Sequence, residues 1–264
     1  MTKTTNHFPK LIDVWSEITL PLRPLGPVTS KVRSLIPSND NSLLIMGVTP
    51  EFADLTTDVT ALDLLPEMIE KVWPGDSDLR RAVQGDWRNM PFSDEAFDVV
   101  VNDNGFNLLS IPEQADIALL EIHRVLRPGG RAILRWTIAP EKALSDDELI
   151  HFAMHECDGM MEALRWQFAL QASLRTPGPS MQPFEAYDLF CKLFPNTDEL
   201  QAANGWNDAT FSRMAFYKDG KLPMHFPKRA EVNALINKRF PNNEFVDSGD
   251  YPMSNLEPLV VLYK

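Results

Sequence analysis

From Ser42 onward the apolar residues fall in short runs, SLLIMG, VTALDL, FDVVVND and RAILRWTI, separated by segments of helical period. Strands covered on both faces by helices read as unbroken apolar runs, so this alternation predicts β-α-β units and a parallel sheet, an α/β fold. Helix starts are marked by local chemistry. Ser110-Ile111-Pro112-Glu113 reads as a capping box opening a helix to about Leu126, which Pro128-Gly129-Gly130 then ends. Ser145-Asp146-Asp147-Glu148 is a second capping box, opening one long helix to about Leu174, with Ile150, Met154, Met161, Leu164 and Phe168 near one face. Pro177, Pro179 and Pro183 break the chain, and a further helix is expected over Phe184–Phe194. Arg229–Arg239 reads as helix, Glu244–Tyr251 as extended chain, and Leu259–Tyr263 as a last strand.

The same pattern divides the chain. Residues 1–40 hold one amphipathic stretch, His7 to Ile18, and then Pro21, Pro24 and Pro27, and form a leader or lid segment lying against the core. Residues 41–140 are the α/β core, 141–217 a helical insertion, and 218–264 the C-terminal part of the core.

Composition narrows the class. The chain has 264 residues, 44% of them hydrophobic, enough for a substantial core and too many for a disordered chain. Its net charge of −12 weighs against a nucleic-acid partner, and no window approaches the roughly 20 apolar residues of a membrane helix. A cytoplasmic protein with no nucleic-acid or membrane partner is expected; a homodimer is compatible with this reading. Cys157 and Cys191 give neither a disulfide framework nor a metal knuckle. His151 and His155 stand four apart on one helix, but without Glu after the first His they read as a polar helix face, and no metal is expected.

The candidate chemistry gathers at the carboxyl ends of the strands. Gly47 follows the first strand, where backbone can come close to a ligand. Thr49-Pro50-Glu51 suits a capped helix start, and Glu51 makes that terminus a poor seat for a pyrophosphate. Asp63, with Leu64 beside it, ends the second strand. An acid there can accept hydrogen bonds from both hydroxyls of a ribose, or can cap the helix that follows. Gly85-Asp86-Trp87 precedes Met90-Pro91-Phe92, and the strand from Phe97 leads into Asn102-Asp103-Asn104-Gly105.

In this order, with Phe97-Asp98-Val99-Val100 and Val125-Leu126-Arg127-Pro128-Gly129-Gly130, the residues from about Ser42 to Ile138 resemble the class I S-adenosylmethionine-dependent methyltransferases. The resemblance implies a Rossmann-like seven-stranded sheet, mostly parallel with an antiparallel last strand, and S-adenosyl-L-methionine as cofactor. It implies that Asp63 binds the ribose, that Asp86 accepts from the adenine amino group, that Trp87 packs beside the ring, and that Asn102, Asp103, Asn104 and Gly105 lie near the methionine part. Met68 either lines the adenine pocket or belongs to the core.

The chain departs from the family at the glycine turn, where Gly47, Thr49 and Glu51 occupy the three usual glycine positions. Either Glu51 or Asp103 receives the cofactor's ammonium, or the bulkier turn excludes the cofactor and leaves a non-catalytic binding or partner protein. Methyl transfer needs alignment more than a base. Where a base is needed, Asp103, His155 and Tyr217 are the candidates. Trp166, Phe168, Trp206, Phe211, Met214 and Phe216 form either the wall of a pocket for a small-molecule acceptor or the core of the insertion. Trp15 and Arg23 in the leader either close over the cofactor or pack on the surface.

Overall fold

The computed structural model describes residues 12–176, 178 and 180–264. Within them, β1 (Ser42–Met46), β2 (Asp58–Asp63), β3 (Arg80–Gln84), β4 (Phe97–Asp103), β5 (Leu126–Arg135), β6 (Asn243–Val246) and β7 (Leu259–Tyr263) form one sheet in the order β3-β2-β1-β4-β5-β7-β6. Strands β1 to β5 run parallel, and β7 is antiparallel to both β5 and β6. This is the mostly parallel, seven-stranded Rossmann-like sheet that the sequence predicts.

Every residue of β1 is buried because alternate side chains serve two cores. Leu44 and Met46 pack with helices α3 (Glu113–Val125) and α9 (Arg229–Ile236) through Leu119, Ile122, Val232 and Ile236. Leu43 and Ile45 pack on the other face with Val28 and Val32 of α1 (Gly26–Leu35) and with Val72 and Trp73 after α2 (Pro66–Lys71). Strand order reverses between β1 and β4, and such a switch point leaves a crevice at the carboxyl ends of the strands. Between β5 and α9 lie α4 (Asp146–His155), α5 (Met161–Arg175), α6 (Pro183–Leu193), α7 (Asp198–Asn204) and α8 (Asp208–Ser212), with a core of their own around Leu164, Phe168 and Phe190.

Several elements differ from their sequence expectation. The long helix to Leu174 is two helices, because Asp158 and Gly159 take left-handed backbone conformations (φ 49° and 66°) that end α4 and redirect the chain into α5. The Ser145 capping box does open α4. At α3 the reciprocal bonds join Ser110 to Gln114 instead of Glu113, and Pro128-Gly129-Gly130 lies inside β5 as a bulge opposite Phe97–Val99, so the strand starts directly where the helix ends. Pro50–Phe52 is a single 3-10 turn and not a helix, with no cap from the Thr49 side chain. The extended segment stops at Val246 instead of reaching Tyr251. Of the leader's amphipathic stretch, residues 7–11 lie outside the described residues; Trp15–Glu17 is a 3-10 turn.

Candidate functional site

A cavity of about 390 Å³ opens at the carboxyl ends of β1, β2 and β4. The sheet edge supplies Gly47, Thr49, Asp63, Asp86, Asp103 and Gly105; the leader supplies Trp15, Ile18 and Leu22; further lining comes from Arg165 and Trp166 of α5 with Tyr217, Leu222 and Met224. Volumes of this order are typical of small-molecule and cofactor sites.

Asp63 ends β2, where its Oδ1 accepts the Leu65 N–H at 2.8 Å. Burial pushes its carboxyl above the ordinary carboxylate value, against the hydrogen bonds from the backbone of Leu65, Val48 and Leu64. It therefore braces the turn before α2 and lines the cavity, but it does not cap the helix, whose N-cap is Leu65 with no side-chain cap. Leu64 beside it is 55% exposed at the rim. Met68 likewise belongs both to the cavity wall and to the buried core.

Asp86 is held by Arg88, whose Nε donates to Oδ1 at 2.9 Å and whose Nη2 donates to Oδ2 at 2.6 Å. These bonds, stronger than the opposing effect of burial, keep its carboxyl below the usual range. Trp87 lies across the end of β1, its Nε1 donating to the Leu62 carbonyl at 2.8 Å. A Cβ on Gly105 would stand 2.6 Å from both the Trp87 ring and the Asn102 amide, so this close approach requires glycine.

Asp103 reaches the cavity as half of a buried ion pair: Arg135 Nε and Nη2 donate to its two oxygens at 2.6 and 2.9 Å. Burial raises this carboxyl and the Arg135 guanidinium opposes the rise. Arg135 also donates to Glu257 at 3.0 Å and to the Tyr251 hydroxyl at 3.2 Å. Asn104 donates to Glu257 at 3.0 Å, and Thr137 joins Glu257 to the Trp166 indole. One polar network thus fixes the ends of β4 and β5 to the C-terminal loop and to α5.

Glu51, Gly85, Asn102 and His155 do not line the cavity. Glu51 is ion-paired to Arg23, which also donates to the carbonyls of Trp15 and Ser16 at 3.2 and 3.1 Å, so it fastens the leader to the turn after β1. Gly85 packs under Leu62 and Pro91, where a Cβ would lie 2.7 Å from the Leu62 side chain. Asn102 is buried and donates to the Met46 carbonyl at 2.8 Å, tying β4 to β1. His155 is exposed at the end of α4, its ring 4.9 Å from that of His151. Among the described residues no group of three or more His, Cys, Asp or Glu could hold a metal ion. No described helix is long and apolar enough to cross a membrane.

Tyr217 lines the cavity, fully buried; burial pushes its phenol up, so near neutral pH it stays protonated. Of the aromatic and Met-rich set in the insertion, only Trp166 lines the cavity. Phe168, Trp206 and Met214 are core, Phe211 packs against that core, and Phe216 lies beside Arg165. Trp15 is at the cavity, whereas Arg23 faces Glu51. Sequence reasoning missed Ile18, Leu22, Arg88, Gln114 and Arg165, none of which carries a motif.

Residues 46–134 match the family model described as a methyltransferase domain. No curated protein matches the chain significantly. Among solved structures, a Rhodobacter sphaeroides protein provisionally named a Zn-dependent alcohol dehydrogenase is 15% identical, with a TM-score of 0.57 over 98% of this chain and 99% of its own. The 1,6-didemethyltoxoflavin-N1-methyltransferase of Burkholderia thailandensis, solved with 1,6-didemethyltoxoflavin and S-adenosylhomocysteine, is 15% identical at a TM-score of 0.51, over 97% and 85%. The PH0226 protein of Pyrococcus horikoshii is 15% identical at 0.51, over 90% and 87%. At such identities the likeness is one of fold.

Proposed function

We propose, for a chain whose residues 46–134 are a class I S-adenosylmethionine-dependent methyltransferase domain, that the cavity holds S-adenosyl-L-methionine beside a small-molecule acceptor and that the protein transfers the methyl group between them. The observation that carries this reading is the enclosure of one cavity by two unlike walls. The sheet edge brings an acid-ended β2, Asp86 with Trp87, and the glycine positions 47 and 105; the leader and α5 bring an apolar wall. The room beside Asp63 fits a nucleoside, and Asp63 is the carboxylate of the sheet edge that no arginine holds, Asp86 and Asp103 being paired to Arg88 and Arg135. A cleft of this volume speaks against a non-catalytic relative whose site has closed.

When bound, the cofactor supplies a methyl group already activated by a sulfonium. The chain's part is to orient and to exclude water. Asp63 would accept from the ribose hydroxyls, and Trp87 would flank the ring. Asp103, with both oxygens on Arg135, is placed to set charge and not to carry a proton. Tyr217 stays a donor near neutral pH. Alignment is therefore the main source of rate, and the acceptor atom must be nucleophilic without a strong base from the protein. The test is incubation of the protein and methyl-labelled cofactor with fractionated cell extract. Label is expected in a small molecule that separates chromatographically from the cofactor and appears only when the protein is present; transferred label confined to protein or nucleic acid would overturn the acceptor class.

A further inference from the structure

Arg165 projects from α5 into the cavity wall, yet its side chain is fully buried (0% exposed). Its Nε, Nη1 and Nη2 find no hydrogen-bond partner among the described residues. The guanidinium stacks 4.5 Å from the Tyr217 ring centre and 5.5 Å from that of Phe216. Those contacts offset part of the cost of burying a cation, but an arginine cannot shed its proton and keeps five N–H donors to satisfy. The acid one turn earlier does not serve it. Glu162 lies 3.2 Å from Arg213 Nε and accepts from the Thr19 hydroxyl at 2.7 Å. The other guanidinium lining the cavity, Arg88, is satisfied by Asp86.

An unpaired, buried guanidinium on a cavity is poised for an anion from outside the chain. Its surroundings say which end of the cavity that anion occupies. Arg165 stands with Trp166, Tyr217, Leu222 and Met224, the part of the lining that α5 and the chain after α8 contribute, whereas Gly47, Asp63 and Asp86 come from the sheet edge. Apart from Tyr217 this wall is apolar, so one charge within it would fix the orientation of an otherwise apolar ligand. Resting on the methyl-transfer reading of the cavity, we propose that Arg165 is the acceptor-recognition residue and that the acceptor is a small, largely apolar molecule bearing a carboxylate, gripped by the two-pronged face of the guanidinium.

The test uses benzoate and its neutral carboxamide, benzamide, as probes of the protein saturated with S-adenosylhomocysteine. Charge-assisted pairing of this kind corresponds to about 10- to 100-fold in affinity. Benzoate is expected to bind wild type at least about tenfold more tightly than benzamide and to raise its melting temperature, and the preference is expected to vanish in Arg165→Met with S-adenosylhomocysteine affinity unchanged. Removing an unpaired buried cation should also leave ligand-free Arg165→Met at least as heat-stable as wild type. Equal binding of the two probes by wild type, no benzoate binding, or a preference that survives in Arg165→Met would overturn the proposal. So would a less stable Arg165→Met, which marks a structural arginine, or one that loses S-adenosylhomocysteine, which assigns the guanidinium to the cofactor's own carboxylate. Failure of wild type to bind S-adenosylhomocysteine is a separate result against the methyl-transfer reading; the two probes are then compared on the ligand-free protein with the same criteria.

Discussion

Single residues here carry strain, charge and space in ways that can be measured separately. Gly105 is the tightest case. Its missing Cβ leaves room for the Trp87 ring and the Asn102 amide, so Gly105→Ala must displace both. Overpacking of this kind costs about 1–3 kcal/mol, to be read as a lower denaturation midpoint in urea. Asp98 gives the pH-dependent case. Burial alone would raise its carboxyl, but hydrogen bonds from Ser42 N–H and Oγ at 2.9 Å and from Arg127 at 2.8 Å outweigh it and hold the value low. A depressed acid stabilises the fold above its unfolded value of about 3.9, and that contribution is lost as pH falls through the lower folded value. Asp98→Asn is therefore expected to destabilise most near neutral pH, by about 1–3 kcal/mol, with the gap to wild type closing as pH falls through the lowered folded value. A gap independent of pH would show that the charge is not responsible. At this scale, Asp63 is legible in the sequence because it ends an apolar strand, and Asp86 only through the Gly85-Asp86-Trp87 run that the resemblance rests on. Arg165 is not, since an arginine within a helix reads as solvated surface until the loop carrying Tyr217 is seen to cover it.

The elements that enclose the cavity are joined by buried charge. Glu162 on α5 accepts from both the backbone N–H and the hydroxyl of Thr19, at 3.3 and 2.7 Å, and faces Arg213 at 3.2 Å, so the leader, α5 and the turn after α8 meet at one carboxylate. Glu162→Gln would leave the buried Arg213 with only the Glu17 carboxylate, 3.4 Å from its Nη1, as counter-charge, at a cost of about 1–3 kcal/mol. Because the leader would loosen from α5, the variant should also expose the chain near Thr19 to limited proteolysis; unchanged protection would mean that its other attachments, Arg23 to Glu51 and Arg213 to Glu17, hold it without Glu162. Capping chemistry and apolar runs make β1, β2, β4, β7 and α4 readable from sequence. The edge strand β3 is not, because its RRAVQ run is half exposed and mostly polar. The break between α4 and α5 is hidden by a helical period that continues through Asp158 and Gly159, where only backbone conformation stops the helix.

For the whole molecule, the sheet order follows from the alternation of buried runs and helices, and the crevice follows from the sheet order. The glycine turn illustrates the limit of that logic. Two of its three usual glycines are replaced, but Glu51 turns away to Arg23 and leaves Gly47 and Thr49 at the cavity, so the substitution reshapes the attachment of the leader more than the cleft itself. Fold and cofactor end are thus carried by local pattern, whereas the acceptor end is assembled from residues far apart in the chain. The central claim, a cleft built around Asp63 for the nucleoside of S-adenosyl-L-methionine, is tested most directly by calorimetric titration of wild type and Asp63→Ala with this cofactor and with S-adenosylhomocysteine. Both ligands should bind wild type, with affinity at least about tenfold lower in the folded variant. Folded wild-type protein that binds neither, or an Asp63→Ala variant that binds both as tightly as wild type, would contradict it.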